Sequence, residues 1–149
     1  SVSLTGSMLC SKVFGSWMAE HEGGVIINIS SDLGIIAPDQ RIYSEDGTLE
    51  ENQVVKPVTY SVVKHGIIGL TKYLSTYWLN KNIRSNALCP GGIFSGQPQE
   101  LVNKLKSRIP LGRMAYSHEI QCILVWMLSD AASYLNGAIV PLDGGRSAW

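Results

Sequence analysis

The run Val25-Ile26-Ile27-Asn28-Ile29 is apolar and β-branched almost without a break. No alternation marks a wetted face, so the run predicts a strand covered on both sides. Such a strand needs helices above and below it, and the rest of the chain supplies them. Leu4, Met8, Leu9, Val13, Phe14, Trp17 and Met18 recur at helical spacing, which predicts a helix over residues 4–20, stopped by Gly23-Gly24. A second helix is expected from about residue 60 to 80, after Pro57, with Ile67, Ile68, Leu70, Leu74, Tyr77 and Trp78 on its apolar face. Residues 83–88 and 137–142 read as strands. Residues 98–107 and a segment from about Ser117 read as helices. Strands alternating with helices imply right-handed crossovers, an α/β class and a parallel sheet. Pro141 cannot donate to a ladder, so the last strand is expected at a sheet edge.

In a sheet of this kind the ligand sits outside the carboxyl ends of the strands. Ser31, Pro90-Gly91 and Asp143-Gly144 all follow expected strand ends, so three separate segments converge on one edge. Tyr60 and Lys64 begin the second helix four residues apart, which stacks phenol and ammonium on one face. A nearby cation favours a phenolate, and that is how a tyrosine becomes an acid or base near neutral pH.

Composition narrows the class. The 149 residues carry twelve basic and twelve acidic side chains, no basic excess for a nucleic-acid partner. No apolar stretch is long enough to span a bilayer, and the three histidines have no metal-ligand spacing, so no metal site is expected. Cys10, Cys89 and Cys122 are odd in number and widely spaced, which reads as reduced, mostly buried thiols. A cytoplasmic protein is the expectation.

The motifs, taken in order, carry more than any one alone. They are Asn28-Ile29-Ser30-Ser31-Asp32-Leu33-Gly34, Tyr60 to Lys64, Asn86 to Gly92, Ile109-Pro110-Leu111-Gly112-Arg113-Met114 and Leu142-Asp143-Gly144-Gly145. The series resembles the classical short-chain dehydrogenase/reductase family over essentially the whole chain. The resemblance implies the C-terminal half of a Rossmann-like, doubly wound parallel sheet, about three strands with flanking helices, making residues 1–149 part of one domain. The glycine-rich turn that holds a cofactor pyrophosphate in the family is missing, and Ser1 to Gly6 looks like the start of the family's fourth helix.

The same resemblance implies an NAD(P)-dependent oxidoreductase, using NAD or NADP on a small-molecule alcohol or ketone. Tyr60 would be the acid/base and, with Lys64, part of the cofactor site, and Lys64 would bind the nicotinamide ribose and favour the phenolate. Ser31, followed by two residues and Gly34, fits the family's catalytic serine, and Ser30 would support the strand end. Pro90, Gly91, Ile93 and Ser95 fit the nicotinamide loop, with the Ile93 amide and the Ser95 hydroxyl on the carboxamide. Two features depart from the pattern. Ser3 stands where an asparagine usually holds a relay water. Residues 35–57 form a polar insertion, either a surface loop or a substrate-side flap. Its composition offers few apolar anchors, so the flap is expected to be mobile until ligand binds. Arg41 could meet an anionic substrate group or pair with Glu45. The insertion faintly resembles relatives acting on sugar-like substrates. The family also implies a homodimer or homotetramer packed through helices 4–20 and 60–80. An alternative is a catalytically silent segment that acts through this association alone.

Overall fold

A computed structural model of the chain describes residues 2–44 and 47–149. Ser1, Glu45 and Asp46 lie outside those residues, and with them the expected Arg41–Glu45 pair.

Helix α1 (Val2–Glu20) leads into strand β1 (Gly24–Ile29). A long connection reaches helix α2 (Val58–Tyr77), then strand β2 (Ile83–Pro90). Helices α3 (Gln99–Lys106) and α4 (Ser117–Leu128) follow, and strand β3 (Ile139–Leu142) precedes the C-terminal turn. The three strands are parallel in the order β1-β2-β3. Asn28 pairs with Ala87, and Ala87 with Ile139, so all three strands end on one side. β3 lies at an edge, where Pro141 costs no ladder bond.

Side-chain parity separates the two faces. Asn28 Nδ2 donates to Thr71 Oγ1 of α2 at 3.0 Å, placing α2 and its neighbour α1 on one face. Residues of the opposite parity on β2 point the other way. Arg84 reaches the carbonyls of Met127, Ser129 and Leu135, and Asn86 reaches that of Leu135, which places the α4 end beneath the sheet. The expectation that β1 is covered on both faces is met only in part. β1 is the other edge of this sheet, and Val25, Ile26 and Ile27 are half-buried while Ile29 is exposed. β2, at the centre, takes the buried role, with Ala87, Leu88 and Cys89 fully covered.

The insertion differs from its expectation in a way that matters for the site. Polarity predicts few anchors, yet Ile42 is 2% exposed and packs with Val102, Leu105, Ile109 and Met114. Polar contacts add to this. Asp39 takes Arg108 Nε at 2.6 Å and Arg41 Nε at 2.8 Å, and the Lys104 ammonium caps the Ser44 carbonyl. Arg41 thus pairs with Asp39 at the surface. One isoleucine amid charged residues carries no periodicity, which is why the anchor was invisible in the pattern. Ile42→Val is expected to cost about 0.5–1.5 kcal/mol in denaturant unfolding. A change below the error of the measurement would mean that the side chain does not hold the loop.

The thiols also correct an expectation. Only Cys89 is buried, whereas Cys10 on α1 and Cys122 on α4 are exposed. Widely spaced cysteines give no signal of which helix face they occupy.

Candidate active site

The chain turns sharply after β1. Ser31 is extended, at φ −163°, and caps the short turn Asp32–Gly34, its Oγ accepting from Leu33 N at 3.2 Å. That turn lies directly against α2. Gly34 permits the approach, since a Cβ there would sit 2.5 Å from Ser30 Oγ and 2.8 Å from the Lys64 carbonyl oxygen. Ser30 Oγ donates to that carbonyl at 2.8 Å, as the strand-end reading of Ser30 requires. Lys64 Nζ donates back to the Ile29 carbonyl at 3.0 Å. Two reciprocal bonds thus fasten the first turns of α2 to the carboxyl end of β1. Tyr60, one turn earlier on α2, is carried to the same place.

Two cations attend the tyrosine. The Lys64 ammonium is 5.7 Å from the Tyr60 ring centroid and that of Lys56 is 4.0 Å from it. Lys56 also stands 5.8 Å from the Tyr43 ring, so the insertion contributes an aromatic wall beside Tyr60. Burial pushes the Tyr43 phenol up, with Asp32 and Tyr60 adding to this and Arg146 opposing it. Burial likewise lowers Lys64 from the ordinary lysine range, with a small opposing influence from Cys89. Cys89 packs beside Ser30 and Lys64, and burial raises its thiol, so it is a neutral packing group here.

The loop after β2 forms the second wall. A Cβ on Gly91 would lie 2.9 Å from Asp143 Cα, so only glycine lets β2 end against the C-terminal turn. Pro90 and Gly91 are held by β3, with Gly91 N donating to Leu142 O at 3.0 Å. Ile93 pairs with Ala115 through bonds made by Gly92 and Phe94. Its own amide meets no acceptor among the described residues. Gln97, which the sequence pattern did not flag, organises the tip. Its side chain accepts from Ser95 N and donates to Ile93 O, both at 2.8 Å, and reaches Ser95 Oγ at 3.1 Å. On this loop an open amide and a hydroxyl are donors of the kind a carboxamide could take, and the Lys64 ammonium is a donor of the kind a ribose could take. Ser3 is exposed near the start of α1, and its carbonyl takes Ser7 Oγ at 2.7 Å.

Two residues carry no role in the sequence pattern. Asp32 and Arg146 form a buried ion pair, Nη1 to Oδ2 at 2.7 Å, under the Ser31 turn. They are separated by 114 positions, so no local spacing could join them. Asp143, also buried, builds the turn that presents Arg146. Burial works against its ionisation, but hydrogen bonds from Ser147, Gly145 and Arg146 outweigh it and hold the carboxyl below its usual range.

Two surface carboxylates frame the loop. Arg113 beside Glu119, with the Tyr116 amide, holds Glu119 down at about 2. Arg41 and Arg108 hold Asp39 well below the usual carboxylate range. Both bind protons less readily folded than unfolded. Their contribution is therefore complete above the unfolded carboxyl range near ~4 and is lost as pH falls toward the folded values. The melting temperature is expected to fall between pH about 4 and about 2, and Glu119→Gln to flatten that fall. An unchanged slope in Glu119→Gln would count against the pair.

Comparison with known proteins agrees with this geometry. A family profile described as Enoyl-(Acyl carrier protein) reductase matches residues 48–147. An uncharacterized oxidoreductase of Thermotoga maritima is 33% identical over 158 residues, covering 99% of the chain and 57% of that protein. D-threitol dehydrogenase of Mycolicibacterium smegmatis is 32% identical, covering 97% of the chain and 52% of its own length. Among solved structures, a short chain dehydrogenase of Leptospira borgpetersenii with bound NAD+ superposes with a TM-score of 0.85 at 32% identity. It covers 98% of the chain and 54% of that structure. The chain thus spans about half the length of the relatives it matches. No helix among the described residues is long and apolar enough to cross a membrane.

Proposed function

Because the chain belongs to the short-chain dehydrogenase/reductase family, we propose that the whole protein interconverts a secondary alcohol and a ketone with NAD or NADP. The observation that carries this reading is the double fastening of α2 to β1. Lys64 Nζ on Ile29 O and Ser30 Oγ on Lys64 O bring the Tyr60 helix against the Ser31 turn.

The reaction divides among a few residues. Ser31 holds the substrate oxygen within reach of the phenol. Tyr60 takes the alcohol proton in oxidation and returns it to the carbonyl oxygen in reduction. Lys64 stabilises the phenolate and binds the ribose hydroxyls. Pro90 and Gly91 set the loop, and the Ile93 amide and Ser95 hydroxyl hold the carboxamide, so that one ring face meets the substrate. The nicotinamide, when bound, accepts or supplies the hydride. The substrate we assign is hydroxylated and sugar-like. The threitol dehydrogenase relative and the polar wall of Tyr43 and Lys56 support that assignment. The unpaired thiols suit a reducing cytoplasm. The test is hydride transfer by the whole protein and by its Tyr60→Phe variant.

Self-association of copies through α1 and α2 belongs to the same reading. Leu9, Val13, Phe14 and Trp17 of α1 and Tyr73 and Tyr77 of α2 are all more than half exposed, which supports an interface there. Trp78 is used differently, since its indole fills the space that a side chain on Gly15 would need.

A further inference from the structure

We infer that Asp32, held by Arg146, is the positioning residue for the Ser31 hydroxyl, which makes the C-terminal turn a working part of the reaction centre. The inference rests on the role given above to Ser31. It draws on a buried array of hydroxyl, carboxylate and guanidinium. Ser31, Asp32 and Arg146 are 6%, 3% and 7% exposed. Asp32 Oδ2 takes Arg146 Nη1 at 2.7 Å. Asp32 Oδ1 takes the Ser31 hydroxyl at 2.9 Å and Leu33 N at 2.8 Å. Leu33 N also reaches Ser31 Oγ at 3.2 Å.

A serine hydroxyl free to rotate would spread over three staggered wells. Here its proton is committed to Oδ1, and one lone pair faces Leu33 N. The substrate's O–H belongs to Tyr60, so Ser31 holds the substrate oxygen by donating to it, in oxidation and in reduction alike. The hydroxyl therefore turns from Oδ1 to the substrate oxygen, and Asp32 sets the starting point of that turn. Arg146 has a separate part. Its guanidinium occupies Oδ2, so Oδ1 is the oxygen left to Ser31 and Leu33. Arg146 is in turn fixed by the Asp143 turn, where the carboxylate takes Gly145 N and Ser147 N, each at 2.9 Å.

A purely structural ion pair and a positioning pair differ in how they combine with loss of Ser31. The test is a cycle in the whole protein among wild type, Ser31→Ala, Asp32→Asn and the double variant, reading kcat and the KM for cofactor. Asp32→Asn is expected to lower kcat about tenfold in wild type. In the Ser31→Ala background it is expected to change kcat by less than about twofold. Cofactor KM should not move in either background. Arg146→Lys, which keeps the charge, provides a second reading if Asp32→Asn does not fold. It is expected to lower kcat in wild type and to leave kcat unaltered in Ser31→Ala. Equal losses in both backgrounds, or no loss in wild type, would overturn the positioning role while leaving Ser31 in place. Full turnover by Ser31→Ala alone would remove the Ser31 assignment and this inference with it.

Discussion

Tyr60→Phe is expected to lower kcat by about 10²–10⁴-fold, the usual contribution of a positioned acid or base. The substitution removes one oxygen and leaves the ring on which Lys56 rests, 4.0 Å from the centroid. The fastening of α2 does not pass through that oxygen. It runs through Lys64 Nζ on Ile29 O and Ser30 Oγ on Lys64 O, and both bonds survive. Folding should therefore change little, and the main loss should fall on kcat. The variant is to be assayed in the whole protein with a substrate that the wild type oxidises. Retention of wild-type turnover would refute the acid/base assignment. A parallel fall in kcat and in thermal stability would instead point to a disturbed helix start.

What the sequence made legible has a common physical character. Periodicity reports which face of an element is covered, and so the helices, the parallel strands and the edge position of Pro141 could be read from it. Spacing on a helix reports shared direction, which joins Tyr60 to Lys64. Strand ends report the ligand side, which brings Ser31, Gly91 and Asp143 to one edge of the sheet. The boundaries shifted where local chemistry decided them. α2 begins at Val58, directly after Pro57, and stops at Tyr77, because Asn80 and Asn82 adopt positive φ beyond it. β1 has α1 and α2 on one face and α4 on the other, as its apolar run predicts, but its edge position leaves its side chains half-buried, and an apolar run does not report strand order.

Contacts that depend on closure of the fold left no such trace. Ile42 reaches the cluster of Val102 and Met114 across some sixty residues of chain, and nothing periodic surrounds it. Gln97 was overlooked because its work is on backbone groups two and four residues away, within one loop. The Ser31 partner was the hardest to see. Asp32 stands next to it in the chain, but a carboxylate after a strand reads as a solvated turn residue until the arginine from the far end arrives.

That arginine leads to the largest expected effect on stability. Arg146→Met should lower unfolding free energy by about 3–5 kcal/mol, the usual result of stripping one partner from a buried pair. The cost arises mainly on the side that remains. Asp32, 3% exposed, would be left in a poor dielectric with only the Ser31 hydroxyl and Leu33 N for compensation. The methionine fills much of the arginine stem's volume, so a cavity contributes little. Adding Asp32→Asn removes the orphaned charge, and the double variant is expected to recover a large part of the loss. Urea unfolding of the whole protein measures all three. A single variant within about 1 kcal/mol of wild type would mean that the pair does not hold the C-terminal turn against the sheet. A double variant no better than Arg146→Met would place the cost in lost packing instead of unpaired charge. Recovery of stability without recovery of turnover would separate the two duties of Asp32. Its charge would then matter to the fold only through Arg146, and its oxygen would matter to the reaction only through Ser31.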